Sequence, residues 1–394
     1  MEPLARRIAG LPTTVFSEFS ALAQKHGAVN LGQGFPDFDG PEEIKQAAIR
    51  AIQGGINQYA VGAGAPALRQ AIADHARRFY GAQVDPETMV SVTSGATEGL
   101  FDAIVGTVNP GDEVVLFEPF YDSYEASVRI AGGVPRFVLL RPPDPDHPRW
   151  WFDPKELRAA FSNRTRMIVV NTPHNPTGKV FTQQELELIR DLAHAHDALV
   201  LADEVYEHIV FPPARHLPVA GVDGLAERTI TVSSAGKTFS LTGWKIGWVI
   251  ASPALRKAVQ QTHQYVTFAS AAPLQSAIAL GLALPDSYFQ ELASSYRTKR
   301  DLLANGLAQA GLSVYPVEGS YFLLADLEGQ GFEDDFAFCR HLTTQVGVAA
   351  IPPSAFYGAE HRHHGHRLAR FAFCKTDPVL QQAVVRLGKR ALTR

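Results

Sequence analysis

Cysteine is almost absent from this sequence: Cys339 and Cys374 are the two examples among 394 residues. Two thiols cannot form a disulfide framework in a chain of this length. The sequence therefore excludes a disulfide-stapled secreted scaffold and favours a reducing compartment. We interpret both residues as buried thiols rather than catalytic groups.

An excess of one charge is also missing. The 36 Lys and Arg residues nearly balance the 40 Asp and Glu residues, and the formal net charge is −4. This balance excludes a general electrostatic surface for nucleic acid. The longest apolar run, residues 277–284, is too short to cross a bilayer, and residues 1–7 lack the apolar stretch of a signal peptide. We expect a soluble, cytoplasmic protein without membrane or nucleic-acid partners.

Internal repeats and low-complexity tracts are lacking as well, and the length predicts two or three ordinary domains. Between about residues 88 and 250, short apolar runs rich in β-branched residues alternate with helix-like stretches. This alternation predicts an α/β fold with a mostly parallel, buried sheet flanked by helices. The candidate strands are residues 89–93, 113–117, 167–171, 198–202, 229–232 and 246–250.

The two ends of the chain have a different pattern. The first forty residues are expected to be extended and punctuated by glycine. From about residue 285, long amphipathic helices and isolated strand-like runs predict a smaller α+β domain. We predict an N-terminal arm over residues 1–40, a large domain over 41–284 and a small C-terminal domain over 285–394.

Polar motifs follow several candidate strands. Residues 94–99 open a helix-like run, where free N–H groups and the helix dipole favour phosphate, although a glycine turn capped by Thr97 explains the motif equally well. Asn175 lies between two prolines that would fix its loop, yet such segments are also common turns. These motifs become informative only in combination.

Asp203 and Lys237 also follow apolar strands. A carboxylate at the end of a buried strand needs a partner, unless Asp203 only caps the next helix. Lys237, among small and apolar residues, would be partly desolvated, and Lys245 would help hold it neutral, as an amine that attacks a carbonyl requires. The alternative is a solvated surface lysine. Together the motifs describe a ligand with a phosphate, an aldehyde and a basic ring nitrogen, a description that pyridoxal 5′-phosphate fits.

On these motifs, and on residues 29–38 and 370–373, the chain resembles the fold-type I pyridoxal-phosphate-dependent aminotransferases of class I/II over nearly its whole length. It is most similar to the methionine and aromatic aminotransferases and to the kynurenine aminotransferase/glutamine transaminase K branch. The resemblance implies pyridoxal 5′-phosphate as cofactor. It also implies a homodimer with shared active sites, and an N-terminal arm that contributes to the small domain and the substrate site.

The resemblance also implies residue roles. Lys237 would bond the cofactor aldehyde and move a proton between cofactor and substrate α-carbon. Asp203 would keep the ring nitrogen protonated, and Arg370 would bind the substrate carboxylate. The other cofactor-binding residues would be Gly95, Ala96, Thr97, Ser234 and Lys245 at the phosphate, Tyr121 on the ring face, and Asn175 and Tyr206 at the phenolic oxygen.

Four further residues would complete the site. Tyr59 would reach the phosphate of the neighbouring subunit, and Gly34 would bring backbone close to the substrate, which Asn175 would also contact. Phe16 and, from the partner subunit, Phe268 would line the side-chain pocket, unless they are ordinary core residues. Many relatives have arginine in place of Lys245; lysine keeps the charge but lacks the bidentate fork.

The expected reaction is ping-pong transamination between an L-amino acid and a 2-oxo acid through pyridoxamine phosphate. No second carboxylate-binding arginine is identifiable, so methionine, aromatic, glutamine or kynurenine-type donors are favoured over aspartate. One alternative is a β-lyase acting on cysteine conjugates or cystathionine, because it begins with the same proton abstraction. Another is a non-catalytic, cofactor-sensing domain of a transcription regulator, against which the lack of a spare N-terminal segment argues.

Two other motifs are set aside. Residues 62–67 formally match a dinucleotide fingerprint, but no apolar strand precedes them and Pro66 lies inside the turn, which argues against a Rossmann dehydrogenase. The histidine-rich residues 361–366 lack an adjacent cysteine and a familiar ligand spacing. We interpret them as a solvated basic loop and expect no metal.

Overall fold

A computed structural model describes residues 4–11 and 15–389. Its helices are α1 Arg6–Ala9, α2 Val15–His26, α3 Glu42–Gln53, α4 Pro66–Tyr80, α5 Ala96–Thr107, α6 Ser123–Ile130, α7 Pro154–Ala159, α8 Gln183–Ala195, α9 Ala235–Thr238, α10 Pro253–Val266, α11 Ala272–Leu282, α12 Asp286–Gln309, α13 Asp335–His341 and α14 Asp377–Lys389. Its strands are β1 Val29–Asn30, β2 Val90–Thr93, β3 Glu113–Glu118, β4 Val134–Leu139, β5 Thr165–Asn171, β6 Leu199–Asp203, β7 Thr229–Ser234, β8 Gly247–Ala251, β9 Ser313–Val314, β10 Phe322–Asp326, β11 Val348–Ala349 and β12 Leu368–Ala372.

The central sheet has the strand order β2-β8-β7-β6-β5-β3-β4. Strands β7, β6, β5, β3 and β4 pair in parallel, and β8 is antiparallel to both of its neighbours. The predicted fold class, with its mostly parallel central sheet, is confirmed. Each of the six candidate strands forms within two residues of its expected position.

Alternate residues of the strands face opposite sides of this sheet. In β3, Val114 and Leu116 pack into one hydrophobic cluster, and Val115 and Phe117 pack into another. Helices cover both faces, which explains why the strands are apolar throughout rather than alternating. The carboxyl ends of β2, β5, β6 and β7 point the same way, so the polar turns that follow them meet at one edge of the sheet.

The extended structure expected for the first forty residues is wrong over α2. Val15, Phe19 and Ala23 are buried at four-residue spacing, which is the periodicity of one helix face. Val15 and Phe19 pack in the hydrophobic cluster that also contains residues of α12, α13, α14, β10 and β12. After α2, β1 pairs in parallel with β11. The arm therefore packs against the C-terminal part of the chain, while the boundaries at residues 40 and 284 stay a prediction.

The remaining strands lie outside the central sheet, where β10 pairs antiparallel with β12 and β9. Strand β12 carries Arg370 opposite Leu324 of β10. Among the described residues, no helix is both long and apolar enough to traverse a bilayer.

Candidate active site

The polar edge of the central sheet borders a cavity of about 290 Å³. Most of the residues expected from the sequence line it, including those from the N-terminal arm and from β12. These are Phe16, Gly34, Gly95, Ala96, Thr97, Tyr121, Asn175, Asp203, Tyr206, Ser234, Lys237, Lys245 and Arg370.

Lys237 lies on the short helix α9, directly after β7. Its Nζ is 3.5 Å from the Gly34 carbonyl oxygen. Burial lowers the pKa of the Lys237 ammonium to about 8, and the nearby charges of Arg370 and Lys245 act in the same direction, while Asp203 opposes them. A lysine with a lowered pKa is neutral in a useful fraction of molecules, and the neutral amine is both a nucleophile and a base.

Asp203 is the last residue of β6, and its side chain is buried. The Tyr124 hydroxyl donates to Asp203 Oδ2 over 2.6 Å, and the Val205 N–H donates to Oδ1 over 3.3 Å. Burial raises the pKa of the Asp203 carboxyl to about 6, against these hydrogen bonds and the charge of Lys237. A protonated ring nitrogen beside this carboxylate would stabilise its ionised form.

The start of α5 and Lys245 form a candidate anion site. Gly95 has φ 79°, and a Cβ there would lie 3.1 Å from Lys245 Nζ. A Cβ on Gly247 would lie 2.5 Å from the carbonyl carbon of Gly95. The two glycines therefore let β8 and the Lys245 side chain approach the first turn of α5. Free N–H groups at this helix start, together with the ammonium, suit a phosphate.

Arg370 projects from β12 with its guanidinium fully buried. Nη1 donates to Asn175 Oδ1 over 3.1 Å and Nη2 donates to the Gly32 carbonyl over 2.8 Å. Its Nε has no hydrogen-bond partner among the described residues. Burial lowers the pKa of Arg370 to about 10, so the group stays charged at neutral pH. A buried cation with an unused donor fits a carboxylate ligand.

Gly34 faces this guanidinium across the Phe322 ring. The Arg370 Cζ lies 4.2 Å from the centroid of that ring. A Cβ on Gly34 would lie 2.5 Å from Phe322 Cζ, so only glycine fits without moving the ring. The Tyr321 hydroxyl donates to the Gly34 carbonyl over 2.6 Å, which holds this stretch of the arm in place.

Sequence reasoning did not identify Tyr124, Tyr321 or Phe322 as site residues. The one available signal for Tyr124 was its position three residues after Tyr121. Tyr321 and Phe322 lie in a strand-like run that was recognised only as structure. The combined donor set still fits a ligand with a phosphate, a carbonyl carbon and a basic ring nitrogen.

Tyr59 and Phe268 do not line this cavity. The sequence predicted that both side chains contribute to the active site of the partner subunit. Tyr59 is 83% exposed and Phe268 is 52% exposed. Their ring centroids are 5.3 Å apart and the rings are nearly perpendicular. Val61, Tyr265 and Val266, which are near them in sequence, are also exposed. We call these five residues the aromatic patch.

The histidine-rich loop forms a short 3₁₀ helix outside the cavity. His363, His364 and His366 are exposed, as a solvated loop requires. His361 differs, because its Nδ1 lies 2.6 Å from Glu118 Oε2. Glu118 is the last residue of β3 and also accepts a hydrogen bond from the Gly358 N–H.

Comparison with known proteins extends these observations to the whole chain. A family model described as aminotransferase class I and II matches residues 26–387. A probable N-succinyldiaminopimelate aminotransferase of Mycobacterium tuberculosis is 49% identical over 97% of both chains. A kynurenine–oxoglutarate transaminase of Dictyostelium discoideum is 41% identical over 96% of this chain and 94% of its own. A crystal structure of an Escherichia coli protein with methionine aminotransferase function superposes with a TM-score of 0.93 at 40% identity, covering 99% of this chain and 100% of that one.

Proposed function

Because the chain belongs to the class I and II aminotransferases, which depend on pyridoxal 5′-phosphate, we propose that its amino donor has a large neutral or sulfur-containing side chain. Methionine, aromatic amino acids, glutamine and kynurenine have this character. The acceptor is a 2-oxo acid. The residues that line the cavity support this proposal.

Within the described part of the chain, Arg370 is the one guanidinium that lines the cavity. Phe16 and Phe322 form an apolar part of the wall beside it, and Phe35 also lines the cavity. The α-carboxylate of a substrate would bind Arg370. No second arginine then remains in this wall to bind a side-chain carboxylate. An apolar pocket with few fixed polar groups selects size and hydrophobicity.

Each polar group then has a proposed role. When bound, the cofactor supplies the electron sink for the electrons released at the substrate α-carbon. Asp203 would hold a protonated ring nitrogen, and Arg370 would fix the α-carboxylate so that the α-hydrogen points at Lys237. The neutral amine of Lys237 would take that proton from the α-carbon and, as the resulting ammonium, deliver it to the former aldehyde carbon of the cofactor.

We also infer that two copies of the chain form the working enzyme. The aromatic patch supports this inference, because large apolar side chains exposed together mark interaction surfaces. In the dimer, Tyr59 and Phe268 would enter the site of the partner subunit.

Replacing Lys237 tests the proton-transfer role. Lys237→Ala should remove the visible absorbance of the lysine-bound cofactor and reduce turnover by about 10³-fold or more, the scale of a lost general base. Lys155→Ala, at an exposed position, is the matched control. Retention of both absorbance and turnover in the Lys237 variant would exclude Lys237 as the reactive amine.

A panel of single half-reactions tests the donor. Each amino acid is mixed with the holoenzyme, and the loss of the bound-cofactor absorbance is followed. Methionine, phenylalanine, glutamine or kynurenine should react with a higher second-order rate constant than aspartate. Preference for aspartate would refute the neutral-donor proposal.

N-succinyldiaminopimelate is a second candidate donor, favoured by the 49% identity to the Mycobacterium tuberculosis protein. It belongs in the same panel. If it reacts fastest, its extra carboxylates must bind outside the described cavity wall, and the neutral-donor proposal is wrong.

A further inference from the structure

A buried group of titratable side chains lies beside the anion site and outside the cavity. His263 Nδ1 is 2.9 Å from Glu98 Oε1 and 3.8 Å from Asp102 Oδ2. All three side chains are buried, and neither oxygen of Asp102 has a hydrogen-bond partner among the described residues. None of the three touches the reacting groups described above, so their role must be indirect.

Glu98 joins the anion site to the end of α10. Its Oε2 accepts a hydrogen bond from the Ser94 N–H, in the turn that begins α5. Its Oε1 contacts the ring of His263, and the His263 carbonyl accepts hydrogen bonds from the Thr267 and Phe268 N–H groups over 3.0 and 2.9 Å. Through His263, the Glu98 carboxylate therefore connects the phosphate turn to the segment that carries Phe268.

His263 is held by Glu98, and Tyr59 is reached through Phe268, because the rings of Phe268 and Tyr59 pack against each other with centroids 5.3 Å apart. The hydrogen bond and negative charge of Glu98 raise the pKa of His263 despite burial. Glu98 is held ionised, with its pKa below the ordinary value, through its hydrogen bonds. A hydrogen-bonded pair in a buried setting has a strongly preferred geometry.

A second buried cross-link fixes the two segments to each other. Gln275 Oε1 accepts from the Ala65 N–H over 2.7 Å, and its Nε2 donates to the Ser270 carbonyl over 2.8 Å. The backbone on both sides of the aromatic patch is therefore anchored to the interior, although the patch side chains are exposed.

We propose that Glu98 and His263 are a positioning pair that holds Tyr59 and Phe268 in the orientation required by the active site of the partner subunit. The proposal rests on the dimer inferred above. Through Ser94, the same pair also connects this surface to the phosphate turn of its own subunit.

Hybrid dimers test this proposal, because they separate the two sites. In the first hybrid, one protomer carries Lys237→Ala with His263→Gln and its partner is wild type. The surviving site then takes Tyr59 and Phe268 from the His263 variant. In the second hybrid, Lys237→Ala and His263→Gln lie on different protomers, so the surviving site takes both rings from a protomer with His263 intact.

The first hybrid should show a higher KM for the amino donor, by roughly 5- to 30-fold, the factor of one lost buried hydrogen bond, with a smaller change in kcat. The second hybrid should resemble a control hybrid that carries Lys237→Ala alone. A defect that appears only in the second hybrid, or equally in both, would overturn the proposal.

Two further measurements keep the test independent of activity. In the His263→Gln holoenzyme, amide hydrogen exchange should accelerate in residues 57–65 and 267–270; unchanged exchange there contradicts the proposal. Glu98→Gln, which keeps the side-chain shape, should produce the same exchange pattern and covers the case in which His263→Gln does not fold. A monomeric wild-type protein would refute the inferred dimer itself, whereas an active dimer without the hybrid asymmetry refutes only the positioning pair.

Discussion

At the scale of single residues, the Tyr124 hydroxyl helps to set the charge of Asp203. It is the nearest donor to a carboxylate whose pKa burial already raises to about 6. Tyr124→Phe removes a hydrogen bond that favours the ionised form, so the pKa of Asp203 should rise further. A hydrogen bond to a charged group is worth about 1.5–3 kcal/mol, so cofactor affinity at neutral pH should fall by roughly 10- to 100-fold.

Equilibrium dialysis of the cofactor at several pH values checks this prediction. The acid limb of the affinity profile should move to higher pH in the variant, because a larger share of Asp203 is then neutral. Tyr315→Phe is a matched control, since its hydroxyl donates to Asp326 away from the cavity. An unmoved acid limb in the Tyr124 variant would mean that Asp203 does not control cofactor binding.

Gly34 allows a second prediction at this scale. Gly34→Ala places a Cβ 2.5 Å from Phe322 Cζ and displaces the ring that lies against Arg370. The KM values of amino donor and oxo acid should rise by roughly 10-fold, the effect of a small misplacement of a substrate clamp, while cofactor affinity stays unchanged. Steady-state kinetics and dialysis measure the two effects. Recovery of KM in the Gly34→Ala, Phe322→Leu double variant is expected, and its absence would show that the ring is not the cause.

The residues that the sequence revealed and those that it did not differ in one physical respect. Asp203 ends an apolar strand and Lys237 lies three residues after one, so the neighbouring residues in the sequence indicate an unusual polar position. Tyr124 and Tyr321 act through hydrogen bonds to residues 79 and 287 positions away in the chain. Such partners depend on how helices and strands pack, which no local pattern contains.

At the scale of elements, the buried strands were predictable and the partly exposed edge strand β4 was not. Strands β2 and β4 are the two edges of the central sheet, but β2 is buried along its length, whereas Pro135 and Arg136 interrupt the apolar pattern of β4. An edge strand tolerates both, because one side has no pairing partner and one face is solvated. The sequence did not predict helix α2, because the glycine-rich residues 27–34 that follow it are typical of extended structure.

The packing of α12 against α14 supplies a prediction about elements. A Cβ on Gly306 would collide with the Val384 side chain. Alanine in a helix interior gains about 1 kcal/mol in propensity over glycine, but overpacking costs about 1–3 kcal/mol. Gly306→Ala should therefore lower the free energy of unfolding by up to about 2 kcal/mol, measured by urea denaturation.

Two companion variants separate the opposing effects. Gly306→Ala combined with Val384→Ala relieves the collision and should recover part of the loss. Gly388→Ala, on α14 with nothing within 4 Å of the added Cβ, should be neutral or stabilising. If Gly306→Ala is stabilising as well, moving α12 and α14 apart costs no measurable free energy, and the predicted collision is not significant.

At the scale of the whole molecule, folding buries histidines that titrate within an accessible pH range. His174 is 2% exposed, in the turn after β5, with its Nδ1 2.8 Å from Thr177 Oγ1. Burial, aided by the charge of Lys179, lowers the pKa of His174 to about 3. In the folded protein His174 therefore stays neutral at pH values at which the unfolded chain, with the ordinary histidine pKa of 6.5, binds a proton.

The sign of the pH dependence follows from this difference. Above pH 6.5 His174 is neutral in both states, and its contribution to stability is complete. As the pH falls toward 3, the unfolded state gains the proton first, so this residue lowers the free energy of unfolding by about 1.4 kcal/mol per pH unit.

His174→Gln should flatten the decline in urea midpoint between pH 6.5 and 4.5 relative to wild type, even if its stability at neutral pH is lower. The exposed His26→Gln is the matched control and should keep the wild-type slope. Equal slopes for all three proteins would mean that His174 gains a proton in the folded state as readily as in the unfolded chain, which its burial argues against.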